Sequence, residues 1–204
     1  KHYELSLHYI ESGHYDVAQG KLLALIEEYP NYPDAHNALG VIYERRGRVT
    51  IASESFLEAI KLKPEYDVAV LNYGRLMCYM DNSAGIIAAS EAMNDKRVKS
   101  RLYTANARCY ISNNDYKNAQ IDILKAIGFD DQYAAAYLIL AEIYQHNSAF
   151  SLASGALNQF NDLNGYTKES ARLGVEINQK LGNTVEVAKY QNVLTTQFSN
   201  RTIK

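Results

Sequence analysis

The residues able to carry chemistry are few and poorly placed for it. Five histidines, His2, His8, His14, His36 and His146, show neither an HxxxH nor an HExxH spacing, which on a helix would turn two imidazoles toward one metal ion. Two cysteines, Cys78 and Cys109, lack the CxxC spacing of a metal or redox site and are too few for a disulfide framework, so they are expected to be buried or free. Glycine-rich phosphate loops and the GxSxG elbow are missing too. No catalytic residue, metal site or cofactor is expected, and the chain reads as a non-enzyme.

Two further features invite a ligand. Lys96, Arg97, Lys99 and Arg101 put four cations within six residues, but no aromatic platform is interleaved with them as single-stranded nucleic acid would need. A solvated turn at a junction is the expected reading there. A net charge of -2 and a pI near 6.2 provide no field for phosphate backbones, so no nucleic-acid partner is expected. No run of about 18 apolar residues could span a bilayer. The seventeen tyrosines suggest aromatic binding, yet Tyr9, Tyr43, Tyr110, Tyr137 and Tyr144 fall at positions of a repeat, which points to packing.

Constant offsets disclose the elements. Tyr9 to Tyr43, Ala18 to Ala52 and Pro30 to Pro64 share an offset of 34 (43 − 9, 52 − 18, 64 − 30), and Tyr110 to Tyr144 and Ala119 to Ala153 repeat it (144 − 110, 153 − 119). Counting Pro33 as position 1, Leu39, Gly40 and Tyr43 stand at 7, 8 and 11, and Ala52, Phe56, Ala59 and Pro64 at 20, 24, 27 and 32. This resembles the tetratricopeptide pattern, in which small residues admit a close helix crossing, large ones fill the space beside it, and proline stops the second helix. An all-α, right-handed superhelical solenoid of about six helical hairpins follows, with His36 packed in its repeat. Units are expected at about 1–32, 33–66, 67–99, 100–133, 134–167 and 168–204 of a single domain. Tyr43 to Tyr110 is 67, so the third unit carries one deletion, and the sixth, with Gly174, Ile177 and Ala188, reads as a cap.

First-helix positions 2, 5, 6, 9, 12 and 13 share the face opposite the packing face. They place Tyr3, Leu7, Ile10, Asn37, Val41, Leu71, Asn72 and Arg75 along a mixed, partly apolar partner groove, which also takes in Asp34, Glu44, Arg45, Cys78 and Tyr79. The Lys, Arg and Asn clamp by which chaperone-type tetratricopeptide domains grip a terminal carboxylate has no counterpart here. Docking by side-chain burial is expected.

Beyond the generic repeat, three stretches resemble the PilF/PilW family of type IV pilus biogenesis and stability proteins. They are Ala35-His36-Asn37-Ala38-Leu39-Gly40-Val41-Ile42-Tyr43, Val70-Leu71-Asn72-Tyr73-Gly74, and Ser170 to Ile177 with Ala188-Lys189-Tyr190. The resemblance implies a six-repeat pilotin, a lipoprotein on the periplasmic face of the outer membrane, monomeric, that helps the pilus secretin localise and multimerise. Its only membrane link would be a lipid anchor upstream of Lys1, where a mature or truncated chain would have lost its targeting segment. A cytosolic tetratricopeptide adaptor or peptide-sensing module is the alternative.

Overall fold

A computed structural model describes residues 2–198, so the outer ends of the expected first and sixth units, at 1 and 199–204, lie outside the described residues. Twelve α-helices succeed one another there, with no strand among the described residues. They are α1 (His2–Glu11), α2 (Tyr15–Glu28), α3 (Pro33–Arg45), α4 (Val49–Leu62), α5 (Asp67–Tyr79), α6 (Ser83–Ala92), α7 (Lys96–Ser112), α8 (Tyr116–Phe129), α9 (Ala134–His146), α10 (Phe150–Asn164), α11 (Lys168–Leu181) and α12 (Thr184–Gln197).

The first helix of each pair ends in the same way. A residue with positive φ follows it, at Gly13, Gly47, Asp81, Asn114, Ser148 and Gly182. The next backbone N–H then returns to a carbonyl five residues back: His14 to Tyr9, Arg48 to Tyr43, Asn82 to Met77, Asp115 to Tyr110, Ala149 to Tyr144 and Asn183 to Asn178, all at 2.8–2.9 Å. This is the Schellman closure, which satisfies a helix-end carbonyl and turns the chain into the second helix. Successive turns are offset by 34, 34, 33, 34 and 34 (47 − 13, 81 − 47, 114 − 81, 148 − 114, 182 − 148). The single deletion therefore falls between Asp81 and Asn114. It is visible there as a ten-residue α6, shorter than its counterparts in the other pairs.

Packing divides between Cys109 and Tyr110, inside α7, into two compact units. In the first, α1 packs on α2, α3 on α4 and α5 on α6, while α2 meets α3, α4 meets α5, and α1, α3 and α5 touch along one side. Its cores are Ala18, Leu22, Leu25, Ala35, Leu39 and Ile42, and a larger set from Ala52, Phe56 and Ile60 to Leu102 and Ala105. In the second unit, α9 pairs with α10 and α11 with α12, with α8 against α9 and α10 against α11. Tyr190 is buried there and donates to Asn158, while Asn161 donates to Tyr190 and Ser170 donates to Asn161.

Gly40 and Phe56 show what closes a hairpin. A Cβ added at Gly40 would lie 2.5 Å from the Phe56 ring, which is fully buried and cannot retreat. Gly174 stands in the same relation to Tyr190, also at 2.5 Å. Both pairs are sixteen residues apart (56 − 40, 190 − 174), so the sixth unit keeps the register of the second through Tyr190, not through the Ala188 that the repeat spacing suggests.

Several expectations change. The segment Lys96-Arg97-Val98-Lys99-Ser100-Arg101 is not a turn but opens α7, with Val98 and Ser100 buried. Its two arginines face carboxylates: Arg97 pairs with Glu65 and with Asp95 at 3.0 Å, and Arg101 with Asp67 at 2.7 Å. The Arg97 guanidinium, with backbone donors, holds Asp95 below the usual carboxylate range. Cys78 and Cys109 are not free; they form a disulfide joining α5 to α7, Cα to Cα 5.5 Å. The periodic tyrosines Tyr9, Tyr43, Tyr110, Tyr137 and Tyr144 are half-buried at the margin of the packing, and the buried ones are Tyr73, Tyr103 and Tyr190.

Replacing Gly40 with Ala is expected to destabilise the protein by about 1–3 kcal/mol, because overpacking against Phe56 outweighs the gain in helix propensity. Gly20→Ala, on α2 with open space around it, is expected to stabilise by about 0.5–1 kcal/mol. Urea midpoints of the two variants check this; equal shifts of the same sign would refute the role given to Gly40.

Candidate binding face of α1, α3 and α5

The face on which α1, α3 and α5 meet carries the residues expected to form a groove, and the structure sorts them by what each can do. Asn37 is buried and accepts from Asn72 Nδ2 at 3.0 Å, a bond that ties α3 to α5. Arg75 makes a two-pronged ion pair with Glu44, each arm 2.6 Å. Tyr3 and Ile10 are partly buried against the first core, and Val41 packs partly on the second. Leu7 and Leu71 stand out into solvent, 37% and 49% exposed. Ala38, at a groove position by spacing, is core. Six of the expected residues, Val41, Glu44, Arg45, Asn72, Arg75 and Tyr79, come together around one open cleft of about 800 Å³. Tyr79 is 85% exposed there, the most solvent-facing of this unit's large hydrophobic side chains.

At the other end of α3 lies a cluster that the packing template alone does not single out. Tyr66 donates to Asp34 Oδ1 at 2.7 Å, and the rings of Tyr3 and Tyr32 lie 5.6 Å apart. Burial, reinforced by the Asp34 carboxylate and then by Tyr32, pushes the Tyr3 hydroxyl up to about 12. Tyr66 is raised as well, by burial and then by its bond to Asp34. Tyr32 and Tyr66 are the residues immediately before α3 and α5, one repeat apart (66 − 32 = 34). That offset is a signal the sequence carried. His36 pairs through Nε2 with the Pro30 carbonyl at 3.0 Å, a structural tie across the preceding turn.

Known proteins fit this geometry. Residues 3–67 match one tetratricopeptide-repeat family model and residues 100–133 another. The fold is that of the tetratricopeptide repeat. A search of the curated proteins finds no match. Among solved structures, PilF of Pseudomonas aeruginosa is 19% identical with a TM-score of 0.63, over 98% of this chain and 91% of that one. PilW, described as a widely conserved type IV pilus biogenesis factor, is 19% identical with a TM-score of 0.62, over 98% and 93%. A tetratricopeptide repeat protein from Parabacteroides merdae is 15% identical with a TM-score of 0.51, over 95% and 78%. This tetratricopeptide-repeat chain is thus PilF/PilW-like in fold along nearly its whole length, and repeats of this kind bind proteins.

Because the folded state prefers the neutral phenol of Tyr3, stability is fully present below pH 10 and falls as pH rises from 10 to about 12. Asp34→Asn is expected to bring Tyr3 ionisation down only part of the way to 10, since burial is the larger cause. The difference in tyrosinate absorbance between wild type and Tyr3→Phe, titrated with and without the Asp34 substitution, measures it. An unchanged Tyr3 midpoint would show that Asp34 does not act on it.

Proposed function

We propose that this chain is a protein-holding scaffold of type IV pilus biogenesis, a pilotin-like lipoprotein at the periplasmic face of the outer membrane. In this reading it binds the pilus secretin and assists its localisation and multimerisation. The observation that carries the reading is the likeness to PilF and PilW across 98% of this chain and over 90% of each of theirs, which leaves no stretch of these residues for a separate catalytic domain. The Cys78–Cys109 disulfide supports the compartment, since such bonds persist in oxidising spaces like the periplasm and are rare in the cytosol. It also weighs against the cytosolic adaptor.

The binding surface in this proposal is the face holding Tyr3, Leu7, Ile10, Asn37, Val41, Leu71, Asn72 and Arg75. Its contribution is apolar burial framed by fixed polar groups, with each fully buried large side chain of the partner worth about 1.5–3 kcal/mol. The scaffold acts as a monomer and needs no cofactor.

A tagged protein should retain the secretin from detergent-solubilised membranes, and charge substitutions at Leu7 and Val41, each to Glu, should abolish retention while helical circular dichroism stays intact. Secretin multimers at wild-type levels in cells lacking this protein would sink the functional proposal. Undiminished secretin retention by the folded double variant would instead move the binding surface elsewhere.

A further inference from the structure

The exposed side of α3 carries two charges that no ion pair neutralises among the described residues. Asp34, half-buried in the first turn, accepts from the Tyr66 hydroxyl and has no cation within ion-pairing distance among the described residues. Lys63, three residues before Tyr66, lies over the Tyr66 ring at 4.9 Å. Arg45, in the last turn, lines the cleft with Val41 and Tyr79 and has no ion pair among the described residues, because its neighbour Glu44 is taken by Arg75. Complementing the helix dipole accounts for the sign at each end of α3. It leaves both charges free to meet a third group.

Their separation is specific. Eleven residues (45 − 34) are three turns plus about 20°, so Asp34 and Arg45 share one face, about 16 Å apart along the axis. Val41 is four residues before Arg45, on the same side and half-buried. The line therefore reads anion, apolar side chain, cation. At the anionic end the Tyr66 hydroxyl is bonded to the carboxylate and Tyr3, near enough to feel its charge, packs against Tyr32 at 5.6 Å, an aromatic setting that favours a Lys or Arg side chain over water. At the cationic end Arg45 is left to receive a carboxylate.

We propose that the segment held on this face is bipolar: a basic side chain over Asp34, a large apolar one against Val41, and an acidic one on Arg45, with the two charges three helical turns apart. A helix laid antiparallel to α3 meets all three with Glu at i, Leu at i+4 and Lys at i+11. The proposal rests on the reading of this face as the binding surface and deepens it by naming the partner's charge pattern.

The probe is a set of alanine-based helical peptides of about eighteen residues, long enough to hold a helix, labelled with fluorescein. Each carries a central Leu and, eleven residues apart, Glu and Lys, two Lys, or two Glu; a fourth has Glu and Lys only four residues apart. Fluorescence anisotropy at low salt is expected to show the eleven-spaced bipolar peptide binding about tenfold more tightly than the other three. With Asp34→Arg the two-Glu peptide should become the tightest, and with Arg45→Glu the two-Lys peptide, each variant first shown by circular dichroism to be folded. An order of affinities that the substitutions leave unchanged, equal binding of the four-spaced peptide, or no binding of any would overturn the proposal. If the peptides rank as stated but the secretin is not retained, the charge pattern stands and the secretin reading falls. The reverse result removes only the charge pattern.

Discussion

Four of the hairpins depend on a large side chain seated against a residue too small to keep it away, sixteen positions earlier. Phe56 on Gly40 and Tyr190 on Gly174 are the closest cases, leaving no room for even a methyl group. At the same spacing stand Ser6 and Leu22, and Ala141 and Leu157, every one of them fully buried. The pairing sets how near the two helices come, and therefore how their outer faces are offered to the neighbouring pair. The Schellman turns hold the chain in this register by returning it to the second helix after the same number of residues.

The third pair breaks the rule. Ser90 occupies the position of the large residue opposite Gly74, its hydroxyl buried without a hydrogen-bond partner among the described residues, and Ser100 on α7 is in the same condition. A buried unpaired hydroxyl costs about 1–3 kcal/mol. Gly74 is instead closed by Ala105 of α7, whose Cβ lies 2.7 Å from where a Cβ of its own would be. The first helices of successive pairs meet there, and the Cys78–Cys109 bond locks them at that level. With a separation of 31 between its cysteines, the crosslink contributes about 3–4 kcal/mol by the chain-entropy estimate, of the size needed to offset the weak pair. A covalent tie thus stands where the small-and-large seat is lost.

Much of this was legible in the residues. The constant offsets of Tyr, Ala and Pro disclose the repeat and its one deletion, because the packing seat tolerates few side chains and recurs in register. The turns were less legible: Gly13, Gly47 and Gly182 are glycines, but Asp81, Asn114 and Ser148 adopt the same left-handed geometry without that mark. The disulfide was hidden because Cys78 and Cys109 belong to different members of the repeat, and only the stacking of α5 on α7 makes them neighbours. The basic run at Lys96 to Arg101 looked like a turn because charge is a poor guide to where a helix begins when acidic partners such as Glu65 and Asp67 lie a full repeat earlier. On the binding face, helical spacing identified which residues lie on the surface, yet not that Asn37 would be bonded to Asn72, or Arg75 to Glu44. Cross-repeat partners are set by stacking, which no single hairpin encodes.

In the function proposed above, the face of α1, α3 and α5 is where a partner protein is held, and the outer sides of the second helices are not. A photo-crosslinking phenylalanine analogue placed at Val41, and in a second strain at Ile51, which is 41% exposed on α4, tests this inside living cells. The expected result is an adduct at position 41 that mass spectrometry identifies as the pilus secretin, and none at position 51. A secretin adduct at 51 with none at 41 would contradict it.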